Sequence, residues 1–231
     1  DPGVSRGLDR VRQGFGLRNG LFGFRNGGPE LCLTGNTARM FIQLGRGDIP
    51  HVKQSLDWLA DTQLEDGGWD CFGRKKGTLD CWEALSAYAA LGVKRLTKKW
   101  KRSAERGAEF YLERGLLNEG GSIWAGWKRI HYPNHYYYDF LVGLEILTLL
   151  GYGEDPRLRP ALAMLRKKRR PDRTWAIDKM HPDLPPGHGY RAAHSKVKAW
   201  AATLKPQIVE APRTPSKWIT LRALGVLKRV G

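Results

Sequence analysis

The chain has 231 residues, of which 41% are apolar and 9 are Trp, so it can bury the core of one globular domain. This composition excludes a disordered chain, and no apolar run reaches the roughly 20 residues of a membrane span. The start also lacks the apolar stretch of a signal peptide. Because the first residue is Asp1, we expect a fragment of a longer or processed protein.

The charge is strongly positive, at +16, and the basic residues occur in clusters. Such a surface attracts anions, so nucleic acid, anionic lipid headgroups and a diphosphate are all candidate partners. A solvated cationic surface without a dedicated partner is the alternative. The 3 cysteines are an odd number in a chain without a secretory signal, which favours reduced thiols and a cytoplasmic protein, with peripheral contact at a membrane as an option.

Four segments begin with a polar residue or proline and continue with helical periodicity. In the second of them, for example, Val52, Leu56 and Leu59 fall on one face. We therefore predict four amphipathic outer helices, at residues 1–15, 48–63, 97–114 and 155–169.

A more apolar helix follows each outer helix after a connector, and three of these inner helices end at Gly45, Gly92 and Gly151. Glycine adopts the left-handed conformation of a helix C-cap without strain. The predicted inner helices are 30–45, 80–92, 135–151 and 215–231, and we predict no strand. The sequence thus predicts one all-α helical-repeat domain over 1–231, with pairs at about 1–47, 48–94, 95–154 and 155–231.

The second connector and its inner helix carry a recognisable pattern, Gln63-Leu64-Glu65-Asp66-Gly67-Gly68-Trp69 followed by Asp80-Cys81-Trp82-Glu83. It resembles the Q-x-x-x-G-x-W repeat and the D-C-T-A-E segment of oxidosqualene cyclases, and the repeat of squalene cyclases. It is also similar to protein prenyltransferase β-subunits, where a Gly-Gly-aromatic connector precedes a zinc-binding Asp-x-Cys. The helix from His135 to Leu144 is similar to the one that supplies the prenyltransferase zinc histidine.

The resemblance implies an α/α-toroid and an isoprenoid or similar apolar substrate in a central cavity. About four helix pairs are fewer than the six of these toroids, so we expect an open or incomplete array. Asp80 stands at the position of the cyclase acid, and burial would favour its protonated form, whereas a helix N-terminus would favour its carboxylate. The alternative to a cyclase- or prenyltransferase-like enzyme is a non-catalytic helical scaffold that binds protein, nucleic acid or membrane through its basic surface.

A zinc site follows from the same resemblance and from the residue types. Zinc takes Cys, His and Asp ligands, and we expect Asp80, Cys81 and His135 to supply them, with Cys71 as a substitute ligand. The alternative is that Cys81 is a small core residue, Asp80 a helix cap and His135 a hydrogen-bonded histidine.

Several side chains at or near the inner-helix starts are candidates for lining the cavity. They are Cys32, Trp82, Tyr136, Tyr137, Phe140 and Lys217, with Lys217 suited to an anionic head group. Ordinary core packing is the alternative for the aromatic residues. Gln63 and Trp69 are instead predicted to tie the connector to neighbouring helix ends, because an amide and an indole N–H can satisfy backbone carbonyls.

The cavity hypothesis predicts that Tyr136→Ala or Trp82→Ala weakens binding of a farnesyl- or geranylgeranyl-type ligand more than it lowers thermal stability. Ligand titration and thermal melts of the same variants provide the comparison. Truncating a buried core aromatic costs about 3–5 kcal/mol of stability. A large fall in melting temperature, in a protein that binds no such ligand before mutation, would therefore indicate core packing.

Overall fold

A computed structural model of the chain describes residues 1–17, 19–24, 28–71, 73–118, 126–134, 137–180, 210 and 212–231. These residues are mostly helical, as predicted, and each of the eight predicted segments contains an α-helix. The helices are α1 (Pro2–Phe15), α2 (Leu31–Gln43), α3 (Pro50–Asp61), α4 (Glu83–Leu91), α5 (Lys98–Glu113), α6 (Phe140–Leu149), α7 (Arg159–Lys167) and α8 (Lys217–Arg229). Short 3-10 helices cover Leu79–Cys81, Val93–Arg95 and Pro156–Leu158.

The prediction that no strand forms is wrong, because short pairs of strands join parts of the connectors. Strands β1 (Gly23–Phe24) and β2 (Gly28–Pro29) are antiparallel. Strands β3 (His131–Tyr132) and β5 (Lys179–Met180) are parallel, and β4 (Trp175–Ala176) pairs antiparallel with β6 (Pro215–Ser216). Each strand has two residues, which is too short for an alternating apolar pattern to be visible in the sequence.

The chain divides into two compact units. The first comprises Asp1–Arg114 with Leu149–Tyr152, and the second comprises Gly115–Thr148 with Gly153–Gly231. The third predicted helix pair therefore has α5 in the first unit and nearly all of α6 in the second. A toroidal array in one domain stays a prediction. No helix among the described residues combines the length and the hydropathy that crossing a bilayer requires.

The helix ends have the signals that the sequence indicated. The side chain of Asp1 accepts hydrogen bonds from the first backbone N–H groups of α1, and Thr97 and Ser216 do the same for α5 and α8. Beyond the helix ends, Gly45, Gly92 and Gly151 have φ angles of 76°, 86° and 95°. The positive φ values, which glycine adopts without strain, agree with the prediction that glycine ends these helices. At Gly92, however, a ψ angle of 139° lies outside the left-handed helical region.

The Gln63 and Trp69 side chains tie the second connector to neighbouring helices, and the predicted contact with a helix end is confirmed for Trp69, whereas Gln63 contacts the middle of α5. Gln63 Nε2 donates to the carbonyl oxygens of Gly67 and Ser103 at 2.7 and 2.9 Å. The buried Trp69 donates its indole N–H to the carbonyl oxygen of Leu59 at 2.8 Å, within the last turn of α3.

The second unit repeats this tryptophan contact. Trp175 is fully buried and donates its indole N–H to the carbonyl oxygen of Leu165 in α7, also at 2.8 Å. Both tryptophans lie ten residues after their acceptors. The shared spacing supports the interpretation of the chain as repeated helix pairs.

The inner helices α2 and α4 of the first unit pack closely against each other at Gly35. A Cβ atom added to Gly35 would lie 2.6 Å from the carbonyl carbon and 2.8 Å from the carbonyl oxygen of Glu83. Apolar residues of both helices are buried, among them Ala38 and Phe41 of α2 and Leu85 of α4, and so is the polar residue Glu83. The two backbones can approach this closely only because position 35 has no side chain.

We therefore predict that Gly35→Ala lowers the free energy of unfolding by about 1–3 kcal/mol, because the added methyl group must push two backbones apart. Urea denaturation followed by circular dichroism would measure the loss. Gly7→Ala is the matched control, since Gly7 also lies in a helix and a Cβ there meets nothing within 4 Å. Alanine favours the helix by up to about 1 kcal/mol, so the control should be neutral or stabilising. A Gly35→Ala protein that behaves like the control would contradict the close approach.

Candidate metal centre

Three cysteine side chains converge in the first unit from three separate segments. Cys32 lies in the first turn of α2, Cys71 in the connector, and Cys81 at the end of the 3-10 helix that precedes α4. The Cys71 Sγ atom is 3.1 Å from both Cys32 Sγ and Cys81 Sγ, and all three sulfurs lie within 4.8 Å of one another. None of them forms a disulfide. We call this group the thiol cluster.

The connector is folded so that Cys71 reaches the cluster. The two ends of the loop that contains Cys71 are joined by a hydrogen bond from Thr78 N to Trp69 O, with a length of 3.0 Å. The Asp66 carboxylate accepts from Gly68 N at 3.0 Å and from Gly77 N at 2.9 Å, which joins the two sides of the connector. Asp and the two glycines are thus turn residues, and their contacts hold the segment around Cys71 in place.

The segment that carries Cys81 is also held from outside the connector. The Tyr111 hydroxyl of α5 donates to the carbonyl oxygen of Leu79 at 2.8 Å, and both residues are buried. The backbone N–H of Cys71 donates to Cys81 Sγ, with an N to S distance of 3.3 Å. Backbone donors of this kind orient a sulfur and stabilise its thiolate form.

The electrostatic surroundings favour a thiolate at Cys71. A hydrogen bond from the thiol of Cys32, followed by one with Cys81, lowers the pKa of Cys71 below its ordinary value. The same contact with Cys71 raises the pKa of Cys32. The two neighbouring thiols would therefore stabilise a negative charge on Cys71, and a bound cation would favour further deprotonation.

A buried carboxyl group lies beside the cluster. Glu83, in the first turn of α4, is completely buried, and neither of its carboxyl oxygens has a hydrogen-bond partner among the described residues. Burial raises the pKa of Glu83 well above its ordinary value, Cys71 adds to the rise, and the residue's own backbone N–H and the Arg39 guanidinium oppose it. Arg39 lies 4.7 Å from the centre of the Trp82 ring.

The thiol cluster has the donors and the dimensions of a metal site. Zinc–thiolate bonds of about 2.3 Å place the sulfurs of a tetrahedral site roughly 3.8 Å apart. The distances in the cluster, from 3.1 Å to at most 4.8 Å, bracket that value. Three protein ligands also leave one coordination position for a further ligand. The residues present therefore fit a single zinc ion after shifts of less than about 1 Å.

The structure brings together only part of the predicted ligand set. Cys71 and Cys81 are adjacent, as expected, but the third sulfur is that of Cys32, which the sequence analysis assigned to a substrate cavity. Asp80 is half-buried, and no described carboxylate or imidazole joins the three sulfurs within 4.8 Å. His135 lies outside the described residues. The sequence placed Cys32, like Cys81, at the start of an inner helix, but no local signal indicated that the starts of α2 and α4 meet.

The predicted cavity residues have different environments. Trp82 and Phe140 are fully buried, Tyr137 is half-buried, and Lys217 is exposed with its Nζ 5.3 Å from the ring centre of Trp218. Tyr136 lies outside the described residues. The proposed role of these side chains in an isoprenoid cavity stays a prediction.

The second unit contains a buried polar network centred on Asp139, which the sequence analysis did not identify as a site. Asp139 stands at the same distance before Gly151 as Asp80 before Gly92, and that repeat position was the available signal. Its Oδ2 atom lies 2.8 Å from His131 Nδ1 and accepts from His131 N at 3.0 Å and from Asn134 Nδ2 at 3.3 Å. Its Oδ1 atom accepts from Val142 N at 3.0 Å.

Arg222 of α8 connects this network to α6. Its Nε donates to Glu145 Oε2 at 2.9 Å, and its guanidinium also donates to the side-chain oxygen of Asn134. Burial alone would raise the pKa of Asp139, but His131 and then Arg222 hold that pKa below its ordinary value. Because its polar groups contact one another, we interpret the network as structural.

No protein-family model matches this chain, and a search of curated proteins finds no significant match. The geometry of the thiol cluster is therefore the feature of this chain that points to a function.

The lowered pKa of Asp139 generates a pH-dependent prediction. Such a carboxylate contributes stability that is present above the unfolded-state pKa of about 3.9 and lost as the pH falls through the folded-state value. Asp139→Asn places an amide where three N–H donors converge, so we expect a loss of about 3–5 kcal/mol at pH 7. Urea denaturation should show this difference shrinking below about pH 4.

The control for this prediction is Asp172→Asn, because the exposed Asp172 accepts from Thr174 in a turn that asparagine also suits. That variant should remain within about 0.5 kcal/mol of the parent protein. A destabilisation by Asp139→Asn that is the same at pH 7 and pH 3 would mean that Asp139 is not charged in the folded protein.

Proposed function

We propose that the first unit binds one zinc ion through the thiolates of Cys32, Cys71 and Cys81, with its fourth coordination position left for a ligand from outside this set. The observation that carries the proposal is the convergence of three sulfurs, from three segments, within 4.8 Å. Bound zinc would supply Lewis-acid chemistry at that fourth position.

Hydrogen bonding and core packing explain the cluster less well than a metal does. A thiol is a weak hydrogen-bond donor, so three thiols gain little from facing one another. Cys32 and Cys71 are also half-buried and not in the interior, where a cysteine would act as a small apolar residue. Thiolates are soft ligands that select zinc, copper(I) and iron–sulfur clusters, and zinc suits a mononuclear site that requires no redox chemistry.

The charge of the protein is compatible with such a site. Three thiolates and one Zn²⁺ leave a single negative charge, and burial, which raises the pKa of Glu83, favours the neutral form of that neighbouring carboxyl group. The chain as a whole has a net charge of +16, and the Arg39 guanidinium interacts electrostatically with the carboxyl group of Glu83. Nearby positive charge lowers the free-energy cost of an anionic metal centre.

The proposal keeps the zinc that the resemblance implies and changes its ligands. Cys32 replaces Asp80 and His135 in the ligand set, so Asp80 is left for another role, including that of a cyclase acid. Binding of an isoprenoid substrate stays a prediction from the resemblance. The half-buried positions of Cys32 and Cys71 support a site that a small ligand can reach from solvent.

A second candidate function is binding of an anionic partner through the basic surface. One observation favours it, an open cleft of about 490 Å³ in the first unit, between α3 and α5. Lys98, Lys99, Arg102 and Arg106 line this cleft, together with Asp61. Lys99 forms ion pairs with Asp57 and Asp61, which neutralises part of the positive charge. Nucleic acid and anionic membrane stay predicted partners of this surface.

The metal proposal predicts about one zinc ion per chain in protein purified without chelator, measured by elemental analysis. Cys32→Ser, Cys71→Ser and Cys81→Ser should each lose most of the zinc, because thiolate ligands contribute strongly to affinity. Circular dichroism of each variant would show whether the helices remain. Full retention of zinc in Cys32→Ser would rule out the three-thiolate site.

Asp80→Asn and His135→Ala discriminate between the two possible ligand sets. Both variants should retain zinc if the thiol cluster is the site. Loss of zinc in these two variants, with retention in Cys32→Ser, would instead support the set expected from the sequence. A parent protein without stoichiometric zinc, even after reconstitution under reducing conditions, would refute both.

A further inference from the structure

The sulfurs of the thiol cluster are close enough to react with one another, and Cys71 makes both of the contacts at 3.1 Å. Its Sγ atom lies at that distance from Cys32 Sγ and from Cys81 Sγ. Reacting atoms that are about 3–3.5 Å apart are already in position for bond formation. A disulfide bond is about 2.05 Å long, so either pair needs to close by only about 1 Å. Cys71 therefore has two alternative partners for a disulfide.

The fold gives Cys71 more freedom to move than its two partners have. Cys32 lies in the first turn of α2 and Cys81 in the 3-10 helix that precedes α4, and these helices pack closely at Gly35. Cys71 lies in the connector, outside any helix or strand, and loop backbone adapts more readily than helix backbone. Cys32 and Cys71 are also half-buried, so a small solute can reach the cluster from solvent.

We propose that the thiol cluster is a redox switch, in which a hydroperoxide oxidises Cys71 and either Cys32 or Cys81 to a disulfide and the cluster thereby loses its zinc. The release of zinc rests on the proposed function, whereas the disulfide requires only the three sulfurs. Cys71 is the residue common to both possible disulfides. A disulfide between Cys32 and Cys81 would instead have to join two sulfurs that belong to packed helical segments.

The oxidation takes two steps and transfers two electrons from the sulfurs to the peroxide. In the first step one sulfur attacks a peroxide oxygen, so that an S–O bond forms, the O–O bond breaks, and the departing oxygen takes a proton. In the second step the neighbouring sulfur attacks the resulting sulfenic acid, so that the S–S bond forms and the S–O bond breaks. The second oxygen leaves as water with another proton. Free thiols supply both protons, whereas metal-bound thiolates take them from solvent.

The disulfide changes the ligand set of the cluster. A thiolate binds a metal, but a sulfur in a disulfide is no longer a thiolate. Oxidation of Cys71 with either partner therefore leaves one thiolate of the three, which is too few for a zinc site. Thiol–disulfide exchange with a reductant restores the three thiols, so zinc can bind again. The switch thus makes zinc occupancy depend on the redox state of the surroundings.

The first test treats the reduced, metal-free chain with hydrogen peroxide. One disulfide should form within the chain, leaving one free thiol of the 3 in the denatured protein. Arg39 and Arg74 separate the three cysteines in the sequence, so trypsin places them in different peptides, and mass spectrometry identifies the linked pair. Every abundant linked pair should contain Cys71. This mapping uses the parent protein and needs no variant.

Serine variants test the central position of Cys71. Cys71→Ser should form the intramolecular disulfide at least about tenfold more slowly than the parent protein, because the pair at reacting distance is lost. Cys32→Ser and Cys81→Ser are the matched controls, since each also lacks one thiol but keeps Cys71 and a partner at 3.1 Å. Both should form the disulfide within about threefold of the parent rate. Circular dichroism of each variant checks that the helices remain.

The second test treats the zinc-loaded parent protein with hydrogen peroxide in the presence of a metal-indicator dye. About one zinc ion per chain should be released as the disulfide forms, and dithiothreitol followed by added zinc should restore the bound ion. A disulfide that forms while zinc is retained would overturn the switch. So would a main product that links Cys32 to Cys81, equal rates in Cys71→Ser and the parent protein, or loss of thiols without a disulfide. A parent protein that binds no zinc before oxidation would refute the metal site, and the metal-free chain tests the disulfide separately.

Discussion

The close approach of α2 and α4 is the contact on which the thiol cluster depends. Cys32 lies in the first turn of α2, and Cys81 immediately precedes α4, so the distance between the two helices sets the distance between these sulfurs. That distance is small because Gly35 contacts the backbone at Glu83 without an intervening side chain. The connector then needs only to bring Cys71 to a pair that the helices already define.

This order of dependence has a thermodynamic corollary. Cys32 and Cys81 are far apart in the sequence and belong to no short ligand motif, so their sulfurs are not held close together in the unfolded chain. A cation that needs both therefore binds the folded unit in preference to the unfolded chain, and its binding free energy adds to stability. The packing of α2 against α4 therefore strengthens metal binding, and metal binding in turn stabilises the packed helices.

The helices could be predicted from the sequence because their signals are local. Apolar spacing, a capping side chain such as Asp1 and a terminal glycine such as Gly92 all act within a few residues. The short strands escaped prediction because two residues carry no periodic pattern. The roles of Gln63 and Trp69 were predictable from their hydrogen-bonding groups and their place in a repeated motif.

The candidate site could be predicted only in part, because its residues meet through contacts between distant parts of the chain. Cys71 and Cys81 lie close in sequence, whereas Cys32 joins them through helix packing that no local pattern encodes. The network around Asp139 depends in the same way on Arg222, which is distant in the chain. The resemblance of the motif to known zinc sites favoured Asp80 as a ligand, although no carboxylate among the described residues belongs to the cluster. Tertiary contacts, and not residue types, decided which of the candidates meet.

The two buried tryptophans show where this chain tolerates change in length. From Leu59 to Trp69 and from Leu165 to Trp175 the spacing is the same, because the indole must reach a carbonyl in the last turn of the helix before it. The interval after the tryptophan differs in length between the two repeats, because α4 begins at Glu83 whereas α8 begins at Lys217. Insertions can therefore accumulate between the tryptophan and the next inner helix without disturbing the helix pair. Cys71 lies in that interval, so each repeat can acquire its own chemistry there independently of the others.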